Sequence, residues 1–274
     1  MVNLSTAVKK TLSYAGFFDY PLHPEEVHRW LISSQPITSD QLKPFLPPAL
    51  SNIDVQKRQK LAQIAKAKIL SSEKFVKYLS YFPTIRFIAV TGSLAVQNSQ
   101  AGDDIDLFLI TTPHSLWLTR IFVLLLSSYF GRRRHPSSTN RTSNNTFCLN
   151  LWLETNSLTV PTFKHNLYTA HEVLQILPLY DADNYYQQFL FQNSWVKKYL
   201  ANAFISLTSP QPHRSCSVNL LTMFDYLFAP FNLLAFVLQY LYMYPKITHE
   251  TISLSSAYFH PRTFHQQIQK HLRK

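Results

Sequence analysis

Three short apolar runs constrain this chain more than any other feature: RFIAVT at 86–91, DIDLFLI at 104–110 and FCLNLWLE at 147–154. Each is rich in branched and aromatic residues and bounded by turn signals, the pattern of a β-strand. Sequence on either side of them reads as helix. Strands confined to the middle of a chain, with helices before and after, point to an α+β protein with a small mixed sheet at its centre.

The helical parts have start and stop signals. Residues 4–33 read as two short helices separated by Asp19-Tyr20-Pro21-Leu22, the second starting at His23-Pro24-Glu25-Glu26 with proline in its first turn. Thr38-Ser39-Asp40 opens a third, and Pro47-Pro48 stops it. Three small helices in this space suit a winged-helix-like unit. Gln56–Tyr81 reads as one long basic helix with an apolar stripe of Leu61, Ile64, Ile69 and Val76. Leu116–Phe130 is a further helix, closed by Gly131 ahead of Arg132, Arg133 and Arg134. From Asn166 onward the pattern is helical, with Thr169 and Glu172 spaced as a capping box. The expected units are 1–55, winged-helix-like; 56–165, the sheet core with its long leading helix; and 166–274, a helical C-terminal region.

Val218–Tyr244 is long enough to span a bilayer and has one charge, Asp225. But Asp225, Asn232 and Gln239 recur every seven residues, and Pro230 lies mid-run. A polar stripe of this kind predicts a kinked helix, or two helices, buried or half-buried in protein and not a membrane span.

Charge and composition narrow the function classes. Lys and Arg total 26 against 15 Asp and Glu, a net +11 that favours anionic partners. Four glycines leave no GxGxxG or P-loop fingerprint. Cys148 and Cys216 have neither metal nor framework spacing. The opening MVNLSTAVKKTLSYAG lacks the order of a secretory signal, so the expected location is cytoplasmic.

Among those 15 acids, three fall within four positions: Asp103, Asp104 and Asp106. Like charges this close are costly unless a cation offsets them. Asp104 and Asp106 lie two apart in a strand, on one face and about 7 Å apart. Ten residues upstream, Gly92-Ser93 breaks the preceding strand. Glycine lets backbone approach a phosphate, and a hydroxyl with free N–H groups at a helix start favours an anion. Paired carboxylates beside such a bend suit a hard divalent cation bridging to a polyphosphate.

Val90-Thr91-Gly92-Ser93, followed after ten residues by Asp104-Ile105-Asp106-Leu107, resembles the signature of the nucleotidyltransferase superfamily that includes DNA polymerase beta. More diffusely, the chain resembles a group of largely uncharacterised bacterial and archaeal nucleotidyltransferase-domain proteins, through Phe17-Phe18-Asp19-Tyr20-Pro21-Leu22, Leu116-Trp117-Leu118-Thr119-Arg120 and Asn166-Leu167-Tyr168-Thr169-Ala170-His171-Glu172. The resemblance implies a nucleotidyltransferase core, with Gly92 and Ser93 holding a nucleoside triphosphate, ATP being the expected one. Asp104 and Asp106 would bind Mg2+ or Mn2+. It also implies a third acid on a later strand, where this chain has Asn150. Asparagine offers a carbonyl oxygen but neither charge nor a site for a proton. Glu154, four residues on, is expected on the same strand face about 13 Å away. Arg120 interrupts an apolar helix, and is read as an ion-pair partner or a nucleotide contact.

The expected function is magnesium-dependent transfer of a nucleoside monophosphate from a nucleoside triphosphate to a hydroxyl acceptor: a small molecule, a protein or an RNA end. Asn150 in the third position attenuates it, unless another segment supplies a carboxylate. The alternative is a catalytically inert nucleotide sensor or adaptor that pairs with other proteins through the aromatic C-terminal helix; the oligomeric state stays open. A third reading is a basic protein of the membrane surface.

Overall fold

A computed structural model describes residues 3–48, 55–131, 145–208, 221–248, 250–259 and 263–272. Arg132–Arg134 and Cys216 lie outside them, as do residues 49–54 at the end of the expected winged-helix-like unit.

The fold is α+β. Among the described residues its sheet has six strands: β1 (Ile85–Val90), β2 (Ile105–Thr111), β3 (Phe147–Glu154), β4 (Leu177–Asp181), β5 (Thr251–Ile252) and β6 (Ser256–Tyr258), in the order β4-β1-β2-β3-β6-β5. Only β2 and β3 run parallel. A parallel pair needs a crossover, and α6 (Leu116–Tyr129) supplies it.

Side-chain alternation in the central strands feeds two cores. Ile88, Val90, Leu107, Leu109 and Trp152 meet α4 (Val55–Ser80), α6 and α10 (Leu221–Met243) on one side. Phe87, Ala89, Phe108, Ile110 and Leu153 meet α7 (Leu167–Leu174), α8 (Tyr185–Gln192) and α9 (Ala201–Leu207) on the other. Burial on both faces explains why β1 and β2 are almost continuously apolar.

Residues 3–48 form α1 (Leu4–Phe17), α2 (Pro24–Arg29) and α3 (Ser39–Leu42) round a small core of Ala7, Val8, Leu22, Val27, Leu31 and Leu42. The Glu26 carboxylate accepts from the His23 N–H at 2.8 Å, and Thr38 with Gln41 closes a capping box. Among its described residues this unit has no strand, only a bridge from Ser33 to Leu200. Asn202 ties it down, accepting from the Ile37 N–H and donating to the carbonyls of His28 and Ile37. Arg58 on α4 holds it from another side, donating to Glu26 at 2.5 and 2.7 Å and stacking over the Tyr20 ring at 4.4 Å.

The fold corrects the sequence expectations at several points. Beyond Asn166 the chain is not all helical. β4 contains Pro178 and lies at the sheet edge, where a missing N–H is tolerated. α7 starts at Leu167, with Asn166 as its N-cap accepting from the Thr169 N–H at 3.0 Å, so Thr169 and Glu172 form no capping box. On α4 the buried line runs through Ala65, Lys68, Ser72, Phe75 and Leu79, and Lys68 is internal, donating to the Asp103 carbonyl. α10 is one helix with Pro230 inside it. Its Asn232 side chain accepts from the Trp117 and Leu118 N–H groups, which α6 itself leaves unpaired. No helix among the described residues is long and apolar enough to cross a membrane.

A register slip in β3 overturns the reading of Glu154. Leu107 pairs Leu149 but Phe108 pairs Leu151, so Asn150 is the extra residue of a bulge. The bulge reverses the alternation beyond it. Glu154 therefore points away from Asp106, and accepts from the Ser115 and Leu116 N–H groups at 3.1 and 3.3 Å, at the start of α6. Burial raises its pKa, against the pull of these donors. Glu154→Leu lowers stability by about 2 kcal/mol in urea denaturation, from the lost cap and the helix dipole. Glu154→Gln, which keeps an acceptor, costs less than half of that, and neither variant changes ligand binding in the cleft described next.

Candidate functional site

The end of β1 and the start of β2 lie side by side, and this brings the bend and the acids together. Thr91 is still extended, and its N–H donates to the Asp106 carbonyl at 3.0 Å. The chain then turns at Gly92, with φ +62°, into the single turn α5 (Gly92–Ala95). A Cβ on residue 92 would come within 3.1 Å of Asp106 Oδ2. Glycine is thus required twice: by the left-handed backbone and by the carboxylate against it.

The three clustered acids have different jobs. Asp103 Oδ2 accepts from the Gln100 N–H at 2.8 Å and the Ser93 hydroxyl at 3.1 Å, which closes the 100–103 turn. Ser93 lines the cleft, but its hydroxyl proton is committed to this turn. Asp104 lies just ahead of β2 and accepts from the Thr146 hydroxyl at 2.7 Å. Asp106 is inside β2, opposite Cys148. Its Oδ1 accepts from the Asn150 amide, while the Asn150 carbonyl accepts from the Cys148 thiol at 2.7 Å. Asn150 is buried behind Asp106 and is not part of the cleft wall. Its carbonyl is turned to Cys148, so the asparagine positions Asp106 and does not present a ligand oxygen.

Asp103, Asp104 and Asp106 line a cleft of about 1070 Å³ together with Gly92, Ser93 and side chains of α1, α2, α4 and α7. Arg120 is not among them. It lies on the far side of the sheet, donating to Gln239 at 2.6 Å and packed over Phe259, which corrects its assignment as a nucleotide contact. The cations at the cleft are Arg29 and Arg58. Burial opposes ionisation of Glu26, but Arg58 and the His23 N–H outweigh it and hold this carboxyl below its ordinary range.

α7 contributes what β3 lacks. Its Glu172 and Tyr168, one turn apart, line the cleft, with the Tyr168 hydroxyl donating to the carboxylate. Burial, and then the charge of Asp106, push Glu172 up to about 7. His171 next to it has a different role. Its ring stacks on Tyr14 at 4.0 Å, and burial pushes it down to about 3, so it is neutral and packs the N-terminal unit against α7. The missed carboxylate had one sequence signal: Glu172 is the first acid after Glu154. Only the packing of α7 on the sheet shows that it faces Asp106.

Among the described residues no three His, Cys, Asp or Glu side chains converge closely enough to hold an ion unaided. Magnesium, however, is commonly held by one or two carboxylates with substrate phosphates completing its shell. Asp104 and Asp106 fit that arrangement, and Glu172, raised by burial and then by the charge of Asp106, lines the same cleft. No protein-family model, curated protein or solved structure matches the chain.

Glu172 has a pH signature. Its folded pKa is about 7, against 4.5 for the ordinary group. Between those values the folded state holds more protons than the unfolded one, so stability falls as pH rises through this window and is level above it. Glu172→Gln removes that loss. The variant matches wild type at pH 4 and exceeds it by about 3 kcal/mol at pH 8, measured by urea midpoints at both pH values. Gly92→Ala destabilises by about 1–2 kcal/mol, from the positive φ and the contact with Asp106.

Proposed function

We propose that the cleft transfers a nucleoside monophosphate from a nucleoside triphosphate, ATP in the first instance, to a hydroxyl acceptor, on a nucleotidyltransferase core of the polymerase-beta type. One observation carries the reading: a glycine bend is laid directly on the Asp106 carboxylate, with Asp104 and Glu172 lining the same cleft. A bare bend beside carboxylates repels a polyphosphate unless a divalent cation joins them, and Asp104 and Asp106 are the residues to hold magnesium or manganese. Bound there, the cation offsets charge on the phosphates and favours attack at phosphorus.

The chain's own groups do the rest. The backbone at Gly92–Ser93 seats the phosphates. Asn150 fixes one oxygen of Asp106, leaving the other toward the bend. The acceptor oxygen forms its bond to the α-phosphorus as the bond to the bridging oxygen breaks, and pyrophosphate leaves. Glu172 takes the acceptor's proton, a task suited to a carboxyl that titrates near neutrality. Tyr168 orients it by hydrogen bonding. This reading replaces the third strand carboxylate with one from a helix. The volume of the cleft leaves room for an acceptor beside the nucleotide.

The inert sensor or adaptor reading draws on one observation, the uncharged Asn150 on β3. The two separate by experiment. Calorimetric titration with the four triphosphates gives magnesium-dependent binding that Asp106→Ala abolishes. Under the transfer reading, Glu172→Gln keeps binding and lowers turnover by about 10²–10⁴-fold, while Asn150→Asp leaves turnover within a few-fold. A strong rise with Asn150→Asp and indifference to Glu172→Gln would instead identify an attenuated site. Absence of magnesium-dependent binding removes both readings.

A further inference from the structure

Helices α4, α6 and α10 cover one side of the sheet, and the outward surface of this layer is unusual. α10 turns Asn232, Ala235 and Gln239 toward α6. Its outward residues Phe231, Leu234, Leu238 and Leu241 are 58–64% exposed. No charged residue occurs from 226 to 245. The apolar surface continues onto α6 through Phe122 and Leu125, both exposed. Single exposed apolar residues are ordinary. Six large ones on adjacent helices present on the order of 600 Å², at or above the largest patch of a typical monomer.

A second feature lies beside the first. α4 carries seven Lys and Arg and a single acid, Glu73. Lys66, Lys74 and Lys77 are exposed, and the ring of Tyr78 between them and α6 meets Phe130. Tyr81, Tyr129 and Tyr244, at or just beyond the C-terminal ends of the three helices, are also exposed. Leucine and phenylalanine at the centre, tyrosine at the helix ends and lysine alongside is the order that a lipid–water boundary selects.

We propose that this face docks on an anionic lipid surface. The outward side chains of α6 and α10 enter the acyl boundary, and the α4 lysines meet the headgroups. Charge decides between this and pairing with a second copy: each chain carries +11, which opposes self-association and favours an acidic bilayer. The helix lies on the membrane and does not cross it. Asn232 and Gln239 are hydrogen-bonded to α6, and drawing α10 into the bilayer would strand those groups. Asp106 and Glu172 lie on the α7 side of the sheet, away from α6 and α10, so the inference is independent of the reaction proposed above.

Cosedimentation of the full chain with vesicles tests it. Binding is expected to mixed phosphatidylcholine–phosphatidylglycerol vesicles and not to phosphatidylcholine alone, and it falls as salt is raised. Lys74→Glu with Lys77→Glu weakens it by roughly fivefold or more per lysine. Leu234→Asp with Leu238→Asp, both exposed, abolishes binding at an unchanged Tm. No binding to the mixed vesicles overturns the proposal. So does binding that the lysine pair loses and the leucine pair retains, which assigns the attraction to net charge. A dimer by light scattering that Leu234→Asp with Leu238→Asp dissolves gives the face to a second copy and overturns it equally.

Discussion

The site rests on one close approach, the backbone of residue 92 against the carboxylate of Asp106. It requires β1 and β2 to be adjacent and antiparallel, so that the end of one meets the start of the other. It requires a residue with no side chain at the bend. And it requires a carboxylate to be tolerated at the mouth of a sheet buried on both faces. Each requirement is met locally: β1 and β2 pair through Val90 and Leu107, Gly92 takes the left-handed conformation, and Asn150 supplies Asp106 with a hydrogen bond. A buried carboxylate without such a donor would be a serious cost.

The two sides of the sheet have separate roles. On one, α7 brings Glu172 and Tyr168 over the acids, and the N-terminal helices close the cleft. On the other, α6 and α10 are joined by polar side chains, with Asn232 and Glu154 both satisfying N–H groups at the start of α6. Arg120 belongs to that second set. Its interruption of an apolar helix has a structural reason, the Gln239 side chain and the faces of Trp117 and Phe259.

Much of the framework was legible because its signals are local. The three central strands, the long basic helix and the early caps follow from alternation, proline placement and capping residues within a few positions. The bend and the paired acids were legible for the same reason. What was hidden depends on register or on tertiary contact. The bulge at Asn150 shifts the alternation by one, and no local pattern announces it; the face assigned to Glu154 was wrong on that account. β4 is five residues with a proline, too short to compete with the helical sequence round it. Lys68 looks like any other lysine of a basic helix until the 100–103 turn packs over it. Glu172 sits on a helix that only the folded chain lays across β2.

The cleft has walls from two independently packed cores. Tyr14 is on α1 of the N-terminal unit, whereas its stacking partner His171 is on α7, which packs on the sheet, and is adjacent to Glu172 in sequence. Asn98, near the glycine bend, donates in turn to the Phe18 carbonyl. The width of the cleft on that side is therefore held by a ring stack, a few side chains and one arginine, the contacts that seat residues 3–48 against α7 and α4.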